Sequence, residues 1–246
     1  LSILTGLGWT PGISNILARK GADQLDEVEE INIYWAGSAN DATGLAVTLH
    51  TIHIFTGKIT SFINGKKVEI PAGSEKERVE FIEPLGYVDM YHLGHPEPVT
   101  LPLYIPRVKT VTLKGGLKES YLNTLAIIVA KLGLTSTTGR KQALGKVLKT
   151  LLPILEKIQK PAVPMSGIRV DIKGTLNGKK QHLVYQAADH MDNLTGVPLA
   201  IGALMMGKGE ITRKGVFAPE AAVDPDRFIE ELSKRNVEVV CTKGIS

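Results

Sequence analysis

Hydrophobic and polar residues recur with two different periods along the chain, and each period predicts a different kind of element. Strict alternation over residues 30–36 and 168–173 is typical of half-buried strands, because successive strand side chains point to opposite faces. Apolar residues at helical spacing over 13–17 and 41–55 instead predict helices that bury one side. The chain therefore combines strands with helices.

Two Asn-Gly pairs predict tight turns between strands. Asn64-Gly65 and Asn177-Gly178 each stand between two short segments of extended character. Both residues of such a turn adopt positive φ, and the resulting twist matches that of paired strands. Each pair therefore predicts a β-hairpin, and hairpins make the sheet largely antiparallel.

The second half of the chain carries the longer helical patterns. Apolar positions line one face over residues 117–158, with a polar loop near 135–140. Further helices are expected over 195–206 and after Asp224-Pro225, where an N-cap residue precedes a proline. A last strand is expected at 237–240.

The middle of the chain is rich in proline, which restricts strands to short or edge positions. We expect short extended segments there, among them Val99–Leu103, and surface loop around the prolines. The whole pattern predicts an α+β fold with a mixed, mainly antiparallel sheet and helices on one face.

Composition excludes several classes of protein. The 246 residues are 43% hydrophobic and 22% charged, which is typical of globular domains and not of disordered or collagen-like chains. The net charge of +4 is spread along the chain, which argues against nucleic-acid binding. No apolar run approaches the ~20 residues that cross a membrane. The one cysteine, Cys241, favours a reducing, cytoplasmic setting, and we expect it to be buried.

The first residues suggest a piece of a longer product, because the chain opens at Leu1 without a methionine. The glycine-rich turn 6–12 between a strand and a helix is similar to a dinucleotide-binding turn. Its spacing differs from the common form, and no acidic residue ends the next strand. A complete Rossmann domain is therefore not expected within this chain.

Four blocks, in order, resemble saccharopine dehydrogenase-like oxidoreductases, the family of saccharopine reductases and lysine 6-dehydrogenases. They are GWTPGISN at 8–15, GHPEPVTLP at 94–102, KTVTLKGG at 109–116 as a strand and Gly-Gly turn, and GKGEI with KGVFAPE at 207–220. The resemblance spans nearly the whole chain.

The resemblance implies an enzyme that uses NAD or NADP and acts on the C–N bond of a lysine- or saccharopine-like amino acid. Residues 1–10 would be the last strand of an N-terminal Rossmann domain that is absent from this sequence. Residues 11–246 would form the α+β substrate-binding and dimerisation domain of a homodimer. Since the nucleotide is bound mainly by the missing domain, this chain alone is expected to be inactive.

The predicted cofactor contacts are Trp9, Thr10, Pro11 and Gly12, at the start of a helix whose N–H groups attract negative charge. The same residues also fit a plain helix start with Trp9 in the core. Asn15, one turn further on, would bind substrate or face solvent.

His95 and Glu97 are the predicted catalytic pair, because a rigid proline-bounded loop can hold an imidazole and a carboxylate toward one cleft. Tyr91 lies nearby as a candidate substrate contact. The alternative is that Glu97 pairs with a surface lysine and His95 caps the loop.

Three arginines are candidates for the substrate carboxylate, since a guanidinium can hold it with two parallel hydrogen bonds; they are Arg107, Arg169 and Arg213. Each is equally consistent with an exposed salt bridge. The two His-x-x-His spacings at His50 and His92 lack a third ligand at motif spacing, so no metal site is predicted.

Two other functions are consistent with the same residues. A dimeric domain that binds amino acids without catalysis could retain this scaffold. A dehydrogenase for homoserine or a semialdehyde could share the architecture.

Overall fold

The computed structural model describes residues 1–41, 45–158 and 165–244. The helices are α1 (Ile13–Ala22), α2 (Leu45–Ile54), α3 (Glu97–Tyr104), α4 (Ser120–Lys131), α5 (Thr138–Ile158), α6 (Met191–Gly207) and α7 (Pro225–Ser233), with a 3-10 turn at Pro219–Ala221. The strands are β1 (Ser2–Leu4), β2 (Glu27–Gly37), β3 (Lys58–Ile63), β4 (Lys66–Pro71), β5 (Glu77–Glu80), β6 (Tyr87–His92), β7 (Thr110–Leu117), β8 (Ser166–Leu176), β9 (Lys179–Asp189), β10 (Gly215–Phe217) and β11 (Val240–Gly244).

The main sheet has the strand order β11-β9-β8-β2-β7-β3-β4, and β6 adds to β7 with β5 beside it. Strands β2 and β7 run parallel, whereas the other described pairs of this sheet are antiparallel. The predicted α+β class with a mixed, mainly antiparallel sheet is confirmed.

The alternation in β2 separates the two faces of the sheet. Ile31, Ile33 and Trp35 join the main core, which α1, α3, α6 and α7 also enter from one side. Tyr34 and Ala36 point to the other face and join a smaller apolar cluster from β5, β6 and the loop between them. Burial of apolar side chains on the first face thus holds these helices against the sheet.

Both predicted hairpins are confirmed. Asn64 and Gly65 connect β3 to β4 with φ of 51° and 75°, and Asn177 and Gly178 connect β8 to β9 with φ of 51° and 72°. The small side chain of Asn and the missing side chain of Gly permit these angles.

The prediction of an extended segment at Val99–Leu103 is wrong, because α3 spans Glu97–Tyr104. Pro98 is tolerated in the first helical turn, where its missing N–H has no helical partner. Leu101, which lies on this helix, is fully buried in the main core. The proline-rich stretch is therefore partly a packed helix rather than surface loop.

Three smaller expectations were also wrong. Gly115 and Gly116 lie inside β7 and not in a turn. The last strand begins at Val240, and Val237 is instead a buried residue ahead of it. Cys241 lies on that strand and is exposed rather than buried.

The first residues form a separate two-stranded parallel ribbon, in which β1 pairs with β10 from Ser2↔Gly215 to Leu4↔Phe217. Leu7, which follows β1, already belongs to the main core. The domain boundary at residue 10 stays a prediction. Among the described helices, none has the length and apolarity that a membrane crossing requires.

Candidate active site

A tight turn over residues 8–12 precedes α1. The Gly8 N–H donates to the Pro11 carbonyl over 2.9 Å, and the Ile13 N–H donates back to the Gly8 carbonyl over 2.9 Å. Gly12 has φ of 137°, and a Cβ there would lie 2.1 Å from the Gly8 carbonyl oxygen. Only glycine fits this backbone, so its presence in the sequence reflects close packing of the turn.

The start of α1 is capped from within the chain. The Gly12 N–H donates to Asn15 Oδ1 over 2.9 Å, and the Ser14 N–H donates to the Trp9 carbonyl over 3.4 Å. The N–H donors of Gly12, Ile13 and Ser14 at this helix start are therefore already engaged. Of the side chains in the turn, Thr10 is partly exposed, whereas Trp9 is buried in the main core.

Glu97 lies at the first position of α3 and is fully buried. Its Oε1 accepts hydrogen bonds from Thr10 Oγ1 over 2.5 Å and from Ser14 Oγ over 2.7 Å. Burial raises the pKa of Glu97, against the lowering effect of these two hydrogen bonds. The alternative of a surface salt bridge with lysine is wrong, and the carboxyl is suited to hold a proton inside the protein.

His95 stands beside this carboxyl, with Nδ1 3.8 Å from Glu97 Oε2, and its side chain is 3% exposed. Burial lowers the pKa of His95 to about 4, so the imidazole is neutral at physiological pH. His95 Nε2 and Glu97 Oε2 are both buried without a hydrogen-bond partner. Such unpartnered buried atoms are uncommon and often mark functional sites.

Aromatic rings form the next layer. Trp9 meets Trp35 edge-on with ring centroids 5.6 Å apart, Trp35 lies 6.0 Å from His95, and His50 of α2 lies edge-on to His95 at 5.5 Å. Both indole Nε1 atoms are buried without a hydrogen-bond partner. A Cβ at position 115 would lie 2.1 Å from the Trp35 ring. The indole therefore occupies space that a larger residue at this position would fill.

Glu220 is a second buried carboxyl at this site, and it was not among the predicted site residues. Asn15 Nδ2 donates to Glu220 Oε2 over 3.0 Å and lies 3.3 Å from Thr100 Oγ1. Burial raises the pKa of Glu220, and the nearby Glu97 raises it further. Asn15 is 1% exposed, so it positions these groups and does not face solvent. The only sequence signal for Glu220 was its place in the KGVFAPE block.

Arg169 lies away from this cluster. Its neighbours Ile168 and Val170 enter the main core, so its side chain projects from the opposite face of the sheet. There it binds Asp171 with two hydrogen bonds of 2.6 and 2.9 Å and lines a cavity of about 240 Å³. Arg169 therefore lies on the opposite face of the sheet from the cluster around Glu97, and its role in substrate binding stays a prediction.

Two of the remaining predicted substrate contacts, Tyr91 and Arg213, lie beside residues of this site. Tyr91 is buried on β6 directly opposite Gly115, the residue that Trp35 covers. Arg213 is exposed, stacks over the Tyr104 ring at 5.3 Å and donates to the Ala221 carbonyl over 3.4 Å, next to Glu220. Arg107 is exposed with φ of 65°, and the structure shows it in none of these contacts.

The histidine pairs of the sequence do not gather around one point. His50 meets His95, whereas His53 Nδ1 lies 3.0 Å from Lys141 Nζ. Within the described ranges, no three His, Cys, Asp or Glu side chains are grouped so as to hold a metal ion. The site is thus organised around buried carboxyls, a neutral imidazole and indole rings.

Comparison with known proteins identifies relatives for nearly all of the chain. The family model "Saccharopine dehydrogenase C-terminal domain" matches residues 8–237. The chain is also 27% identical, over 255 residues, to a carboxyaminopropylagmatine dehydrogenase of Synechocystis sp.. The alignment covers 95% of this chain and 63% of that relative, so the relative is considerably longer.

Proposed function

The chain belongs to the saccharopine dehydrogenase C-terminal domain family, and on that premise we propose that it is the substrate-binding and dimerisation part of an NAD(P)-dependent oxidoreductase. The reaction we propose is hydride transfer at the C–N bond of a lysine- or saccharopine-like amino acid. A dehydrogenase among its relatives supports the reaction class. The observation that carries the proposal is the buried Glu97 carboxyl, held by Thr10 and Ser14 beside His95.

The proposed cofactor supplies, when bound, a hydride donor or acceptor at its nicotinamide ring. The two unpartnered indole N–H donors of Trp9 and Trp35 suit the carboxamide oxygen of such a ring. The N–H groups of Gly12, Ile13 and Ser14 do not suit its pyrophosphate, because they are engaged within the chain. This division supports a nucleotide held mainly by another domain, with only its reactive end reaching this one.

Glu97 is the group proposed to move the proton at the substrate nitrogen. Thr10 is partly exposed, and its hydroxyl lies 2.5 Å from the Glu97 carboxyl. Thr10 therefore connects the buried carboxyl to the protein surface. A positioned acid whose pKa is raised toward neutrality can both give and take a proton. His95, neutral and 3.8 Å away, completes the pair. Arg213, beside the turn that carries Glu220, is the arginine best placed to anchor a substrate carboxylate.

The proposed homodimer finds support on α4. Leu125 and Ile128 of this helix are 40% and 48% exposed, and Leu132, directly after it, is 69% exposed. Apolar residues grouped on an exposed helix face are typical of interaction surfaces. Light scattering should give the mass of a dimer, and Leu132→Glu should shift it toward that of the monomer, whereas a monomeric wild-type chain would refute the dimer.

The test of the reaction uses the natural polypeptide that contains this chain. Absorbance of NADH and NADPH is followed with saccharopine, lysine and carboxyaminopropylagmatine as substrates. We expect Glu97→Gln to lower kcat about 10²- to 10⁴-fold, the usual contribution of a general acid or base. Glu69→Gln, an equivalent change at a 70% exposed side chain, should leave kcat unchanged.

The same assay separates the alternatives. Turnover of a hydroxy acid or an aldehyde, with none of the amines, would replace the proposed substrate class. Amino-acid binding that is independent of cofactor, without turnover of any substrate, would favour a non-catalytic binding domain.

A further inference from the structure

The site contains two buried carboxyls. Glu97 is 0% and Glu220 is 2% exposed. Their side-chain hydrogen-bond partners are the hydroxyls of Thr10, Ser14 and Thr100 and the amide of Asn15. Within residues 1–41, 45–158 and 165–244, no lysine or arginine forms an ion pair with either carboxyl. Buried carboxylates are almost always paired with a cation, so this pair is exceptional.

Each carboxyl also keeps one oxygen free. Glu97 Oε2 and Glu220 Oε1 are buried and accept no hydrogen bond, and His95 Nε2 is likewise unpartnered. His95 is neutral, so it does not supply the positive charge. The free oxygens are acceptors, which suit a ligand that brings N–H donors.

The rings around these acceptors also favour positive charge. Trp9, Trp35 and His95 are linked by ring contacts of 5.6 and 6.0 Å. The faces of indole rings attract ammonium and guanidinium groups, most strongly where water is excluded. The predicted arginines point elsewhere or lie outside this layer, as Arg169 on the far face of the sheet shows.

We propose that this site selects a cationic nitrogen of its substrate, an ammonium or guanidinium, which rests against the indoles beside Glu97 and Glu220. The inference rests on the proposed function in taking this cluster as the substrate site. The cation enters beside Thr10, which is partly exposed, and past the exposed Pro96. A substrate end that carries only a carboxylate is rejected by the two acidic side chains.

The chain carries its own reporter for this site, because its two tryptophans are Trp9 and Trp35. Their emission is followed while the 246-residue chain is titrated at constant ionic strength. The probes are butylammonium, butylguanidinium, neutral pentanamide and anionic pentanoate. We expect saturable changes with the two cations and none with pentanoate. The ratio of the two cation affinities tells whether an ammonium or a planar guanidinium is the better fit.

Variants connect the signal to the carboxyl. Glu97→Gln keeps the shape of the side chain and should weaken cation binding at least tenfold, while Glu69→Gln should leave it unchanged. A second measurement needs no variant. Calorimetry with the same four probes should give the same order of affinities, with both cations bound more tightly than pentanamide or pentanoate. The other titratable groups facing Glu97 are His95, Glu220 and, across His95, His50.

Two results would overturn the inference. They are binding of pentanoate in preference to the cations and equal cation binding by folded Glu97→Gln. Both results are obtained from ligand binding and do not depend on the hydride-transfer assay. If Glu97→Gln loses turnover but the wild-type chain shows no cation selectivity, the proposed function is supported and this inference is refuted. If the chain binds the cations but no substrate is turned over, this inference is supported and the proposed function is refuted.

Discussion

Asn15 and Glu220 lie 205 positions apart in the chain and are joined by a 3.0 Å hydrogen bond from Asn15 Nδ2 to Glu220 Oε2. Asn15 Oδ1 accepts the N–H of Gly12 at the same time. One amide therefore ties the turn before α1 to the 3-10 turn near the end of the chain. Glu97 and Thr10 are positioned by the same turn and helix.

Replacement of Asn15 should show how much this tie stabilises the fold. Asn15→Ala leaves the Gly12 N–H and the Glu220 carboxyl without their buried partner, and each such loss costs about 1–3 kcal/mol. We expect a decrease of about 2–4 kcal/mol in the free energy of unfolding, measured in urea. Asn193→Ala, at an exposed residue of α6, should change it by less than about 0.5 kcal/mol. Equal effects of the two variants would show that Asn15 is not a structural tie.

The turn glycine should not tolerate a side chain. Gly12→Ala places a methyl group 2.1 Å from the Gly8 carbonyl oxygen at φ of 137°, and we expect a loss of about 3 kcal/mol or more. Gly196→Ala is the matched control, because it lies within α6 with no atom within 4 Å of the added Cβ. There alanine should stabilise by about 0.5–1 kcal/mol. Thermal unfolding of both variants distinguishes these opposite signs.

The buried His95 should make the protein less stable in acid. Its pKa is about 4 in the folded chain and 6.5 as the ordinary value, so the unfolded chain binds more protons between these pH values. Stability should therefore decrease as pH falls from 6.5 to 4, by about 3 kcal/mol from this residue. His95→Phe keeps a ring against Trp35 and should remove that part of the slope. Identical pH profiles for both proteins would contradict the assignment.

His190 should have the opposite effect. Its Nδ1 lies 2.9 Å from Asp41 Oδ1, and this hydrogen bond raises the pKa of His190. The stability it contributes is present below pH 6.5 and is lost as pH rises through the higher folded pKa. His190→Gln should therefore lower stability at pH 6 more than at pH 8. Urea unfolding at the two pH values tests this difference.

Cys241 should react freely with thiol reagents. It is exposed on β11 and is the one cysteine of the chain. We expect one equivalent of Ellman's reagent to react with the native protein at nearly the rate seen in denaturant, and none with Cys241→Ser. Protection in the native state would show that this surface is covered, for example by a second copy of the chain.

Local patterns predicted much of the fold. The two Asn-Gly hairpins and the alternating strand 30–36 are found in the structure, since each depends on the backbone angles or side-chain spacing of neighbouring residues. The α3 helix was missed because its prolines argued for loop, whereas burial of Leu101 against the sheet outweighs that local preference. Cys241 was misplaced because strand type alone does not tell which strand lies at a sheet edge.

The candidate site, like the fold, was predicted only in part from the sequence. The sequence by itself determined the α+β class, the family resemblance and the pairing of His95 with Glu97, because these are encoded within short blocks of residues. Only the tertiary structure brought Glu220 to Asn15 and, among the residues that it describes, left the buried carboxyls of Glu97 and Glu220 without a lysine or arginine partner. These outcomes depend on strand register and helix packing between distant segments, which no local pattern of the chain expresses.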